Sequence, residues 1–371
     1  MKNDSVARTR KQRLRALWLQ VHKWIGITLA ILIIPISLSG SALVWDEALD
    51  AVINPQRHPA AKVELPPSSY AQAARNAASN GEALIGLDYP EDTGAVVATF
   101  TQPRKGAGRP VRTFIYLDPT DAHVLDRSTN SKDAIRIMHV LHGSLMVPGT
   151  GRQIVGWVGV AMLISSLTGI WLWWPLKGSL RRGLRWKRQG TTSANLHHMV
   201  GFWISLPLAV LSFTGVWIAL VPFFAQLLGI SPALNPAERM RRMNPTPIVQ
   251  TRINPDQVIE LTKRHATGAL MSIAWPTAPE ANWRVSYHRA GGAADVQVGD
   301  GNGEVTPPAP PRPETTARLM RRIHDGTGTG PVWQAIIFVG GIIPAVLAVT
   351  GIMMWLNIRR RRREMEWRRS A

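Results

Sequence analysis

The 371-residue sequence contains no cysteine. That absence excludes disulfides, thiolate-held iron–sulfur clusters and covalent attachment of a c-type haem through Cys-x-x-Cys-His. Tyrosine is scarce, with 4 residues against 15 tryptophans, and the formal net charge is +19. Charge of either sign is missing altogether from four long windows, Ile25–Trp45, Gln153–Leu176, Gln189–Ala237 and Gly326–Ile358. Each holds a run of about 20 or more mainly apolar residues, which at about 1.5 Å per residue crosses a hydrocarbon core about 30 Å thick. A soluble protein would have to bury four such segments in one helical core. The tryptophans argue against that: Trp18, Trp24 and Trp45 flank the first window, while Trp171, Trp173 and Trp174 close the second. Indoles favour the headgroup boundary, where the ring is buried and the N–H stays wet.

Three short segments carry most of the net positive charge. Lys2, Arg8, Arg10, Lys11, Arg13 and Arg15 precede the first window; Lys177, Arg181, Arg182, Arg185, Lys187 and Arg188 follow the second; Arg359 to Arg363, Arg368 and Arg369 follow the fourth. Four crossings put all three on one side, which the positive-inside tendency identifies as the cytoplasm. Adjacency to membrane spans accounts for these runs, so no nucleic-acid partner is expected. The first apolar stretch is too long for a signal-peptide core and lacks a convincing small-residue cleavage site, so it is read as an uncleaved anchor. The partner this implies is a lipid bilayer, read as an inner (cytoplasmic) membrane.

The expected fold class is a mainly α membrane protein with four transmembrane helices from two parallel repeats, each with an inserted extracytoplasmic α+β module. The boundaries are a basic N-terminus 1–16, a first span 17–45, a first module 46–151 and a second span 152–176. A basic loop 177–195, a third span 196–230, a second module 231–330, a fourth span 331–358 and a basic tail 359–371 complete the chain. Within the first module, Ser69–Ser79 reads as a helix and Ala95–Thr101 and Arg112–Leu117 as alternating strands. The second module repeats the theme, with Pro255–His265 as helix and Trp283–His288 and Ala294–Val298 as strands. A proline-rich stretch, Thr306–Pro313, leads back to the membrane.

The repeat itself is read from two ungapped offsets. An offset of 175 carries His22 and Gly26 onto His197 and Gly201, and Ser39-Gly40 onto Thr214-Gly215. An offset of 182 carries Asp118 onto Asp300, Met138 onto Met320, His142 onto His324, Thr168-Gly169 onto Thr350-Gly351 and Trp173 onto Trp355. The change of offset falls in the modules, where insertions are tolerated.

His22 and His197 open the first and third spans at the inner surface, and His142 and His324 precede the second and fourth at the outer one. A lone interfacial histidine is commonly structural, and copies inherit structural residues too. The glycines shift the balance. Gly26 and Gly201 lie four residues after their histidines on nearly the same helix face, and Gly40 and Gly215 lie five helical turns after them, on that face again. Gly169 and Gly351 supply a corresponding gap on the other two spans. Two imidazoles and two glycines at each level suit a planar macrocycle inside a four-helix bundle; close helix packing through small residues is the competing explanation. Without cysteine, a non-covalent b-type haem with paired histidines remains, two such groups being expected, and zinc fits less well because no His-Glu-x-x-His motif or carboxylate cluster accompanies these residues. His139 aligns with Arg321 and His198 with Lys23. Either histidine could still replace its neighbour as ligand. Arg152, Arg321 and Arg322, and Lys23 at the other level, either mark the membrane boundary or pair with propionates.

The motifs His22-x-x-x-Gly26, Leu141-His142-Gly-Ser-Leu145, Leu196-His197-x-x-x-Gly201, His324-Asp-Gly326 and the Thr-Gly pairs that close the spans resemble the PepSY-associated transmembrane family, over nearly the whole chain. Tyr116-Leu-Asp-Pro119 is similar to the end of a strand in the PepSY domains inserted in that family's halves. The resemblance implies an iron-regulated bacterial inner-membrane protein, some members being di-haem reductases that release iron from ferric siderophores. Their ligands map onto His22, His142, His197 and His324. A ferric siderophore would then be the substrate. The only dense glycine run, Gly326-Thr-Gly-Thr-Gly330, precedes a span rather than following a strand and makes a poor dinucleotide site, so a quinol or a separate reductase would be the electron donor. Two non-redox alternatives stand beside this one: a PepSY-domain membrane anchor with a regulatory role, and a siderophore-transport accessory.

Overall fold

The computed structural model of the protein describes residues 10–102, 111–174, 190–221 and 246–370, apart from 267, 279, 290–291 and 311–313, with Leu184, Phe224, Leu227 and Gly229 besides. The start of the basic N-terminus, most of the basic loop, the ends of the second and third expected spans and Pro311–Pro313 lie outside the described residues. In chain order the first half contains α1 (Arg10–Thr28), α2 (Ala30–Ala42), α3 (Asp46–Ile53), α4 (Pro67–Ala77), β1 (Ala83–Asp88), β2 (Val96–Thr101), β3 (Arg112–Leu117), β4 (Val124–Thr129), α5 (Ala134–Ser144) and α6 (Gly151–Trp173). The second contains α7 (Thr192–Ala219), β5 (Thr246–Pro247), α8 (Pro255–Thr262), β6 (Leu270–Ala274), β7 (Thr277–Ala278), β8 (Asn282–Arg289), β9 (Gly292–Gly299), β10 (Val305–Thr306), α9 (Thr316–Asp325) and α10 (Pro331–Ser370). The chain divides into a helical unit, residues 1–46, 138–230 and 314–371, and a sheet unit, residues 47–137 and 231–313.

Among the described residues, four stretches are long and apolar enough to cross a membrane: Ala30–Ile53, Gly151–Trp173, Thr192–Ala219 and Pro331–Ser370. The first expected span is interrupted at Leu29, where the Leu32 N–H turns back to the Leu29 carbonyl at 2.9 Å, and Pro35 further along removes another helical donor. α6 packs on α7, and α10 packs on both α2 and α7. Small residues make the α2–α10 approach close: a β-carbon at Gly341 would stand 2.6 Å from that of Ser41, whose hydroxyl donates to the Phe338 carbonyl at 2.7 Å. Such contacts replace the hydrophobic drive that lipid does not supply.

Two short helices depart from the expected boundaries. α5 and α9 were placed by the sequence inside the outer modules, yet their residues from Met138 and from Glu314 onward belong to the helical unit. α9 is strongly amphipathic, with Leu319, Met320 and Ile323 along one face and Arg318, Arg321 and Arg322 along the other. The Thr315 side chain accepts from the Arg318 N–H at its start, and Gly326 stops it at φ +81°.

The sheet unit differs from two separate modules. Strands from both chain segments join in one eight-stranded antiparallel sheet of order β10-β9-β8-β6-β1-β2-β3-β4. The join is the β1–β6 pair, with Leu87 opposite Ile273. It gives each strand a ladder partner where an open edge would otherwise present unpaired N–H and C=O groups. α4 and α8 both pack on the sheet and on each other, and the core between them holds fully buried Tyr70, Phe100, Ile115, Val258, Ile273 and Trp283. A capping box between Asn254 and Gln257 begins α8, and Asp256 accepts the Ser68 N–H at 2.8 Å, linking the starts of the two helices. The expected helices and strands of the modules are present with ends shifted by a few residues, and β1, β4 and β6 are additional to them.

Candidate functional site

The helical unit brings the four repeated histidines together in two pairs. The ring centres of His22 and His197 are 6.3 Å apart with planes at 89°, and those of His142 and His324 are 6.0 Å apart with planes at 38°. Along α7, His197 lies near the start and Gly215, which faces His324, near the end. The two pairs are therefore separated by about 18 residues of helix, or about 27 Å.

Each imidazole is seated against a glycine of a neighbouring helix. A β-carbon built at Gly40 would stand 2.5 Å from His142 Cε1, one at Gly215 2.9 Å from His324 Cε1, one at Gly169 3.4 Å from His22 Cε1 and one at Gly351 3.5 Å from His197 Cε1. The gaps read from the sequence as room for a flat ligand are thus, at these four glycines, seats for imidazoles. Gly26 and Gly201 behave differently: a β-carbon at Gly26 would meet nothing within 4 Å, and one at Gly201 only Leu347, at 3.9 Å.

The same four sites fix the rings. His22 Nδ1 lies 3.1 Å from the Ser165 carbonyl and 3.2 Å from Thr168 Oγ1. His142 Nδ1 is 2.8 Å from the Ile36 carbonyl. His324 Nδ1 is 3.1 Å from both the Leu211 carbonyl and Thr214 Oγ1. His197 Nδ1 is 3.0 Å from Thr350 Oγ1, with the Leu347 backbone beside it. In every case the backbone partner is four residues before the seating glycine. A carbonyl can only accept, so Nδ1 carries the proton and donates, which leaves the lone pair on Nε2. The threonine hydroxyls donate onward to carbonyls of their own helix, as Thr214 does to Val210 at 2.9 Å and Thr350 to Val346 at 2.8 Å, and so offer Nδ1 a lone pair. Ser39, which precedes Gly40, instead donates only to its own helix, at Pro35 and Ile36.

This donor set would suit a metal held between two imidazoles, His22 with His197 and His142 with His324. A ligating histidine ordinarily donates its other ring N–H to a carbonyl or a second polar group, which fixes tautomer and orientation. Two imidazoles sharing one metal in line have ring centres about 6 Å apart, from metal–nitrogen bonds of about 2.0–2.1 Å on each side. The ring-centre separations, 6.3 and 6.0 Å, are of that size. The hydroxyls before the glycines are further functional candidates, visible in the sequence only as repeated positions.

The alternative ligands do not join the pairs. His139 lies exposed on α5, and His198 stacks on Trp173 with ring centres 6.0 Å apart. In the sheet unit, Asp118, Asp121 and His123 bring ligand atoms within 4.8 Å of one another. Local turns use these groups: Asp118 accepts from the Thr120 N–H at 2.8 Å, and Asp121 from His123 Nδ1 at 2.6 Å.

Apolar helices enclosing paired imidazoles at two levels define an integral membrane protein with half-buried histidine pairs. Residues 19–357 match the family described as the PepSY-associated TM region; the chain belongs to that family. No curated protein matches it.

Proposed function

We propose that this protein is a bacterial inner-membrane electron carrier that holds two b-type haems, one between His22 and His197 and one between His142 and His324, and reduces a ferric siderophore or other ferric complex on the outer side. The observation that carries the reading is the coincidence, in both pairs, of a ring separation near 6 Å with an Nδ1 already engaged. A carbonyl acceptor at Nδ1 leaves the Nε2 lone pair as the one that could bind a metal. When bound, haem supplies one-electron redox chemistry, and its placement at two depths suits transfer across the bilayer. The protein's part is to hold each ring: the glycines admit it, the carbonyls and threonine hydroxyls orient it, and the apolar helices exclude water.

On this reading the basic segments face the cytoplasm, both termini lie there, and the two halves are parallel copies from a duplicated unit. Quinol or a separate reductase supplies the electrons. Purified protein, reconstituted with haem if necessary and reduced with dithionite, is expected to give a paired-histidine b-type spectrum at two haems per chain. A preparation that stays colourless sinks the reading. The size of the sheet unit favours a second reading, a non-redox anchor for a binding or regulatory domain, in which replacing all four histidines with alanine leaves function intact.

A further inference from the structure

Beyond the histidine pairs, the helical unit contains a cavity of about 250 Å³ lined by Arg152, Trp217, Ile218, Val221, Arg318 and Arg321. Its walls are α6, α7 and α9. Ile218 is three residues beyond Gly215, and Arg321 three residues before His324, so the cavity lies one helical turn from the contact that seats His324. Arg152 donates to the Ile218 carbonyl at 2.8 Å, which holds its guanidinium at the cavity wall. Arg322, the next residue along α9, is paired with Glu314 at 2.9 Å. Arg318 and Arg321 have no acidic partner among the described residues. The three arginines share the lining of one small cavity, where an oxyanion would accept forked N–H donors from Arg318 and Arg321. The positive-inside tendency accounts for basic residues on the side of the basic segments; these gather at the opposite end of α7.

We infer that this cavity is an oxyanion-binding site for a carboxylate or phosphate group. Resting on the proposed function, it sets the charge class of the substrate: a polycarboxylate ferric chelate of net negative charge, held next to the His142–His324 pair. The volume admits one small multivalent anion or one arm of a larger chelator, and the Trp217 ring offers it a flat wall.

The test uses the full chain in phosphatidylcholine nanodiscs and gallium(III) citrate, a redox-inert stand-in for the ferric complex, followed by calorimetry. Saturable binding is expected, weakening with ionic strength and falling by about tenfold or more in Arg318→Gln/Arg321→Gln, since contacts to charged groups are lost. Equal affinity in the variant, with its melting temperature unchanged, overturns the site. Competition by inorganic phosphate supports the shared oxyanion chemistry. If phosphatidylglycerol nanodiscs abolish the citrate binding seen in phosphatidylcholine nanodiscs, and the lipid is retained by the native protein but not by Arg318→Gln/Arg321→Gln, the cavity holds a lipid phosphate and the substrate assignment fails. Binding is read without reference to pigment. A colourless protein that still binds citrate defeats the haem reading and keeps the anion site, and a pigmented one that binds no anion does the reverse.

Discussion

Gly40→Ala should detach one of the His142–His324 pair from its site while leaving the other pair intact. The added β-carbon would stand 2.5 Å from His142 Cε1 and 2.7 Å from Nδ1, where ordinary contact begins at 3.4 Å. The ring has to retreat by about 1 Å, and its Nδ1 bond to the Ile36 carbonyl, 2.8 Å in the native chain, stretches past the useful limit of about 3.2 Å. Losing that bond costs about 1–3 kcal/mol, and strain from an overfilled interface adds about 1–3 kcal/mol. Even the lower sum, about 2 kcal/mol, is about a 30-fold loss of affinity for whatever the pair holds. The assay is haem per polypeptide by pyridine haemochrome together with a redox titration. One haem is expected to be lost or its midpoint displaced, with the second unchanged. A variant that retains two haems at native potentials refutes the reasoning, because an imidazole in this position cannot tolerate the methyl group.

Gly26→Ala gives the opposite pattern, since its β-carbon meets no polypeptide atom within 4 Å: haem-free protein should melt no lower than native, gaining up to about 1 kcal/mol of helix propensity, while haem binding at the His22–His197 level falls. Thr168→Val and Thr214→Val remove a hydroxyl beside Nδ1 but spare the carbonyls 3.1 Å away. Ligation should therefore survive with a midpoint raised by roughly 20–45 mV, from about 0.5–1 kcal/mol of lost bonding, and spectroelectrochemistry checks the shift. In the sheet unit, the Arg57 side chain is only 6% exposed and bonds Asp126 at 2.6 Å, Asp133 at 2.7 Å and Asp50 at 3.3 Å. Arg57→Leu leaves three carboxylates without their cation and should destabilise the unit by about 3–5 kcal/mol at pH 7, read from the loss of sheet signal in circular dichroism. Burial alone would raise the Asp126 carboxyl, but hydrogen bonds from Arg57 and the Arg127 N–H hold it below its ordinary value of 3.8. The folded value is the lower one, so this contribution is present at neutral pH and lost as pH falls through it. Native protein should weaken only in strong acid, below about pH 4, whereas Arg57→Leu should lose part of its deficit there.

Much of this arrangement is legible along the chain because it is carried by local chemistry. The four apolar windows need only composition, and the four histidines that pair are singled out by two constant offsets, against His139 and His198, which break them. The strands at Arg112–Leu117 and Ala294–Val298 show themselves by alternation. What escapes the sequence is long-range pairing. Nothing near Leu87 announces that its ladder partner is Ile273, so two modules are read where one sheet forms. β1 escapes for a related reason: Ala83–Asp88 contains Gly86, and its pattern of burial does not alternate strictly. α5 and α9 are too short to register as membrane elements, and α9 carries three arginines, so their histidines are legible as repeated residues but not as side chains of the helical unit.

The seating of the imidazoles shows how the two levels depend on one another. His22 on α1 sits against Gly169 on α6, and His197 on α7 against Gly351 on α10; His142 on α5 sits against Gly40 on α2, and His324 on α9 against Gly215 on α7. α7 therefore contributes an imidazole at one level and a seat at the other, as the α1–α2 pair does with His22 and Gly40. Sliding either element along its axis would disturb both pairs at once, because packed helix interfaces shift between discrete arrangements rather than deforming smoothly. A substitution confined to α5 or α9 touches a single level. Spectroscopic damage to both centres should thus follow disruption of the α2–α10 contact, as in Gly341→Leu, where even a β-carbon stands 2.6 Å from Ser41. Loss of one centre alone in that variant would mean that the helices bearing the seats move independently, and the shared framework argued from α7 would not hold.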